Sequence, residues 1–132
     1  MIAMVGLTAA VWLRMYWYRL DHVRRKRVSP DHYQTRETAR DYPTRAVWAS
    51  DNLMNLFEMP VLFYAAVLTA YTAGATGSLV LGLAWAYVAL RALHSVIHVV
   101  YNRVVHRFLA YVTSSVVLFV LWGVIAVQLI NK

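Results

Sequence analysis

The sequence predicts an all-α, four-helix transmembrane bundle, and three observations predict it. Hydrophobic residues make up 61% of the 132 residues and charged ones only 14%, against roughly 25% charged in a soluble domain. Four apolar segments each approach the ~20 residues a helix needs to cross ~30 Å of hydrocarbon. Eight of the thirteen Lys and Arg residues gather in one connection, the asymmetry expected of membrane loops. A chain of this length makes one compact unit. Having no cysteine, it offers no disulfide framework, no thiolate nucleophile and no Cys-based zinc site.

The first span covers about residues 1–18. No Lys or Arg precedes its apolar run and no clear small-residue cleavage site follows, which favours a retained span over a signal peptide. The connection over 19–47 contains "RLDHVRRKRVSPDHYQTRETARDYPTR". It lacks the interleaved aromatics and the length of a nucleic-acid arm, so no nucleic-acid partner is expected. Contact with anionic membrane lipids suits it better. The second span covers about 48–72 and ends at "AGATGS", a Gly-rich turn. The third covers about 78–101 and the fourth about 104–130, with "YNRVVHR" as a tight junction between them.

Charge sets the expected orientation. The long loop and the Arg103/Arg107 junction fall on the same side of a four-span protein, and both are basic. The positive-inside rule places that side in the cytoplasm and both termini on the non-cytoplasmic side. Trp12, Tyr16, Trp17, Tyr18 and Trp48 lie near the basic face, as interfacial anchors do.

Polar residues inside the spans carry the chemistry, because a charge in hydrocarbon costs several kcal/mol unless paired or wetted. On the third span Arg91, His94, Ser95, His98 and Asn102 recur at helical spacing and form one stripe. On the second span Asp51, Asn55 and Glu58 do the same. Glu58 lies ten residues beyond Trp48, and Arg91 ten residues before Tyr101; both are therefore about 15 Å deep at 1.5 Å per residue. Antiparallel neighbours bring Glu58 to Arg91 and Asp51 towards His98, a pairing that offsets part of the desolvation of each partner. Two readings follow. Glu58–Arg91 is a staple between helices, or it belongs to a larger polar, mostly cationic cavity opening to the cytoplasm and suited to an anionic ligand. Asn55, His94, His98, Arg103 and Arg107 at the same end favour the cavity, and the planar arginine fork suits carboxylate recognition.

His94 and His98 have the i, i+4 spacing of metal ligands, but Ser95 stands where an H-E-x-x-H motif has Glu. No metal site is assigned, and haem held between histidines has no further support. Tyr111 lies one turn beyond Arg107 on the same face. It is either a packed or lipid-facing tyrosine or a phenol that donates a hydrogen bond to a developing anion.

"NLFEMPVLFY" (55–64) followed by "RALHSVIHVVYNRVVHRFLAY" (91–111) resembles the membrane-associated proteins in eicosanoid and glutathione metabolism, the MAPEG family. The motif spacing is most similar to the microsomal prostaglandin E synthase and microsomal glutathione transferase branch. The resemblance implies four helices per protomer, a homotrimer, and glutathione bound between protomers at the cytoplasmic side. Asn55 and Glu58 match the Asn-x-x-Glu of the second helix that contacts glutathione. Arg91, His94 and His98 match an arginine and two ligand-contacting positions on the third, and Arg103 joins them as a cationic contact. Arg107 falls where that branch has the arginine thought to activate the thiol, and Tyr111 at the tyrosine after it. His98 stands where the family more often has tyrosine, and Phe108 where the synthase branch has serine.

The function this implies is glutathione-dependent, transferase- or peroxidase-like chemistry on a hydrophobic electrophile or lipid substrate. Arg107 and Tyr111 are then catalytic, and Asn55, Glu58, Arg91, His94, His98 and Arg103 bind glutathione. Two rivals come from other classes: a non-catalytic lipid-binding or scaffold protein of the same fold, and a small transporter using the polar stripe as a pathway.

Overall fold

The computed structural model describes residues 1–27, 29–35 and 37–131; Val28 and Arg36 of the basic loop and Lys132 fall outside them. Among the described residues the regular elements are all helical: α1 (Ile2–Lys26), α2 (Thr44–Leu56), α3 (Met59–Thr72), α4 (Ser78–Val100) and α5 (Val104–Ile130). Two short 3-10 turns, Pro30–Tyr33 and Thr38–Asp41, lie in the basic loop. The stretches Thr44–Thr72, Ser78–Val100 and Val104–Ile130 are long and apolar enough to cross a membrane, and α1 completes the four-helix bundle.

Helix α1 outruns its apolar segment. It continues through Lys26, so Arg24, Arg25 and Lys26 form its last turn, where cations meet the negative end of the helix dipole. Arg25 Nε donates to Asp21 Oδ1 at 2.8 Å one turn back. Around the loop, His22 Nε2 contacts the Tyr33 hydroxyl at 2.9 Å, Tyr33 stacks on Tyr42, and the Arg19 guanidinium lies over the Tyr42 ring. Burial in this cluster is the main reason the Tyr42 phenol is held above its ordinary pKa.

The second span is one apolar run in sequence but two helices in the structure. Phe57 and Glu58 interrupt it, and α3 begins with Pro60 in its first turn. The physical reason is that proline has no N–H to give the carbonyl of Leu56, and its ring crowds that carbonyl. The break leaves the last carbonyls of α2 without helical partners. One of them anchors the polar cluster.

The two tight junctions each use a left-handed residue. Gly74 has φ 67°; its N–H bonds to Tyr71 O at 3.1 Å and that of Ala75 to Ala70 O at 2.8 Å. This double closure ends α3 in a Schellman turn. Between α4 and α5, Asn102 has φ 50° and its N–H bonds to Ile97 O at 2.8 Å. Asn is among the few non-glycine residues that enter this region readily.

Helices α4 and α5 form the most extensive pair, with α2 packed on α4, α1 on α2 and α3 on α5. The apolar core is built from Met4, Leu56, Phe63, Tyr87, Leu118, Leu121 and Ile125. Above it, at the end of the bundle that carries the basic loop and the α4–α5 junction, lies the polar cluster.

Candidate functional site

The third-span stripe is buried as the periodicity predicts. Arg91, His94, Ser95 and His98 are at most 2% exposed. They face α2 and α5 within one protomer, so this part of the cluster is sealed inside the bundle.

Arg91 sits at its deep end. Its Nη2 donates to the backbone carbonyl of Asn55 at 2.8 Å, one of the carbonyls freed by the break after α2. Its guanidinium also lies 5.3 Å from the centre of the Tyr111 ring, a cation–π contact. Arg91 Nε and Nη1 are buried and have no hydrogen-bond partner among the described residues. Glu58 comes within electrostatic reach of Arg91, and Asp51 within that of His98, as their depths predict. Neither makes an ion pair among the described residues, however, and both are exposed. The expected Glu58–Arg91 staple is replaced by a carbonyl cap. The carbonyl points inward and carries the helix dipole, while Glu58 sits on the break and turns outward.

Arg107 is fixed at both ends. His94 Nδ1 donates to its backbone carbonyl at 3.0 Å. Its Nη1 donates to His98 Nε2 at 2.9 Å and to Asn102 Oδ1 at 2.9 Å. Arginine carries only donors, so His98 accepts through Nε2 and holds its own proton on Nδ1. Arg107 thus sets the ring-nitrogen roles of both histidines: His94 Nδ1 donates to its carbonyl and His98 Nε2 accepts from its guanidinium. The rings of His94 and Tyr111 lie 5.7 Å apart, which joins the two halves of the cluster.

The remaining predicted site residues divide by exposure. Arg107, Tyr111 and Asn55 are half-buried at the rim, and Glu58, three residues after Asn55, is exposed. Arg103 is the exposed residue that caps α5; its side chain has no hydrogen bond or ion pair among the described residues. The structure thus brings Arg91, His94, His98, Arg107, Tyr111 and the Asn55 carbonyl together, and leaves Arg103 outside.

Sequence reasoning missed one member and the role of another. Asn52, not Asp51, is the polar residue that α2 buries, and its Oδ1 accepts from Ser95 Oγ at 3.3 Å. The signal was the small-residue stripe Ala46, Ala49, Asn52, Leu56, spaced for one helix face. Asn102 belonged to the predicted stripe, but its grip on Arg107 follows from the left-handed turn. A separate apolar groove of about 420 Å³ is lined by Met1, Ile2, Phe63, Tyr71 and Trp85, among others. It lies along the opposite half of α4 from the polar cluster.

Compared with known families, the chain matches the family model of the MAPEG family over residues 1–127. That match covers nearly the whole bundle. The chain is a member of the MAPEG family. Membership places it with integral membrane proteins of broadly glutathione-related transferase and isomerase chemistry. No curated protein and no solved structure matches the chain significantly. Within the MAPEG frame, the arginine on α5 and the polar stripe on α4 are the features that carry a functional reading.

Proposed function

We propose that this protein binds glutathione at the rim of the polar cluster and uses it on a hydrophobic electrophile drawn from the bilayer. The observation that carries the reading is Arg107, whose guanidinium is held by two hydrogen bonds and whose backbone carbonyl is held by a third, at the half-exposed edge of a buried polar network. Family membership supports glutathione as the ligand. Two exposed residues outside the cluster add charges that suit a small zwitterionic peptide: Arg103, at the start of α5, suits a carboxylate, and Glu58 suits an ammonium group.

In this reading Glu58, Asn55 and Arg103 bind and orient the ligand, with Arg91 behind them. Glutathione supplies the thiol. Arg107 lowers the pKa of that thiol by opposite charge, and the thiolate is the reactive form. Tyr111, half-buried beside Arg91, donates a hydrogen bond to negative charge as it develops. The protein contributes electrostatic stabilisation and positioning. The basic face lies in the cytoplasm, both termini lie opposite, α1 crosses the membrane as the fourth span, and three protomers form the working unit.

The test is conjugation of glutathione to chlorodinitrobenzene by the purified protein. Wild type turns over, and Arg107→Ala loses at least about 100-fold in kcat/KM while keeping its oligomeric state. Absence of both turnover and calorimetric glutathione binding refutes the proposal.

One observation favours a second reading. Arg91, His94 and His98 are sealed within the protomer, and their contacts are internal. A non-catalytic lipid-binding or scaffold protein needs such a network only for its architecture. It would bind lipid and leave the electrophile unreacted.

A further inference from the structure

We infer that Asn102 and His98 are positioning residues that clamp the Arg107 guanidinium in its working orientation at the rim. The inference rests on the proposed role of Arg107 and adds how this chain keeps that side chain in place. An arginine has four side-chain torsions, and at a half-exposed position it samples many orientations. Here a single nitrogen, Nη1, is held from two directions: from α4 by His98 Nε2 and from the junction by Asn102 Oδ1, each at 2.9 Å. Both hydrogens of Nη1 are thereby used, leaving Nε and Nη2 for a ligand. The His94 contact to the Arg107 carbonyl fixes the backbone at the same residue.

Neither partner adds net charge to the cluster. A carboxylate in either position would hold the guanidinium more tightly and also cancel the positive potential a thiolate needs. Two neutral acceptors orient Arg107 and leave its charge intact. Asn102 suits the place for a second reason, since its φ of 50° swings the side chain back over the first turn of α5. The conformation that ends α4 therefore also delivers the acceptor.

Three variants separate the parts. Asn102→Gly keeps the left-handed backbone and removes Oδ1. His98→Leu removes the ring acceptor, and His98→Gln replaces it with an uncharged amide oxygen at similar reach. Two quantities are read on the detergent-purified protein: the rate at which phenylglyoxal modifies Arg107, followed by peptide mass spectrometry, and the steady-state conjugation of glutathione to chlorodinitrobenzene. Asn102→Gly and His98→Leu should label Arg107 several-fold faster than wild type. Their kcat should fall about tenfold to a hundredfold with glutathione KM within about twofold. His98→Gln should restore slow labelling and most of kcat, a recovery that general destabilisation cannot mimic. Unchanged labelling in both Asn102→Gly and His98→Leu overturns the clamp, and faster labelling with unchanged kcat overturns its role in positioning. A wild-type protein without conjugating activity refutes the proposed function instead, and the labelling rates then decide the clamp by themselves.

Discussion

Arg91 closes the broken end of α2: its Nη2 reaches across to the Asn55 carbonyl at 2.8 Å, 36 positions away in the chain. The two residues offset each other's burial in part, since Nη2 and the carbonyl are paired while Arg91 Nε and Nη1 have no partner among the described residues. A carbonyl stranded in a bundle core by a helix break lacks a donor. A buried guanidinium lacks the solvation that water gives it. The contact pairs a cation with the negative end of a helix dipole, and a hydrogen bond to a charged group is worth about 1.5–3 kcal/mol.

That pairing predicts a coupling with Pro60, which prevents a continuous helix. Arg91→Met should destabilise the protein by about 2 kcal/mol, chiefly by orphaning the Asn55 carbonyl. In a Pro60→Ala background the helix can run through, and the N–H of Met59 becomes available to that carbonyl. The cost of Arg91→Met should then shrink by about 1 kcal/mol. A double-mutant cycle on unfolding in detergent micelles measures the difference. Equal costs in the two backgrounds would detach Arg91 from the break.

How far these contacts could be read beforehand depends on what each one rests on. Burial of Arg91, His94, Ser95 and His98 was legible because helical spacing alone puts them on one face. The depth of Glu58 against Arg91 was legible too, since it needs only the rise per residue. Their failure to pair was not, because it depends on a competing carbonyl that exists only once the helix has broken. Pro60 was the visible sign of that break, masked by the apolar run around it. On α2 the polar trio Asp51, Asn55 and Glu58 pointed one residue away from the true core face. Asn52 took the buried place because the small residues Ala46 and Ala49 lead into it. The grip on Arg107 needed a left-handed Asn102, and a single Asn in a short junction only hints at that conformation.

The Asn52–Ser95 contact carries its own prediction. Both side chains are at most 2% exposed, and the Ser95 hydroxyl donates to the amide oxygen at 3.3 Å. Ser95→Ala leaves that oxygen unsatisfied and should cost about 1–2 kcal/mol. Adding Asn52→Leu removes the stranded amide and should recover most of the loss. If the double variant is as unstable as the sum of the two single ones, measured by thermal unfolding in micelles, the pair is not the unit described.

At Asn102, backbone strain separates two substitutions that both delete the side-chain acceptor. Alanine at φ 50° meets the steric penalty of the left-handed region, whereas glycine does not. Asn102→Ala should therefore be about 1 kcal/mol less stable than Asn102→Gly. The order should reverse if the turn relaxes to negative φ in the variant, because alanine is then the less entropically costly residue.

The ring and the hydroxyl of Tyr111 can be tested separately. The ring lies under the Arg91 guanidinium at 5.3 Å and beside His94, so it helps hold a buried charge. The hydroxyl is the part assigned to chemistry. Tyr111→Phe keeps the aromatic face, and stability should stay within about 0.5 kcal/mol of wild type. Tyr111→Leu removes the cation–π contact and should cost about 1–2 kcal/mol. If the phenol donates to charge developing in the transition state, Tyr111→Phe should still lower kcat by about tenfold to a hundredfold, with little change in glutathione KM. A stable Tyr111→Phe with wild-type turnover would confine this residue to supporting Arg91, and Arg107 would then carry the thiol activation alone.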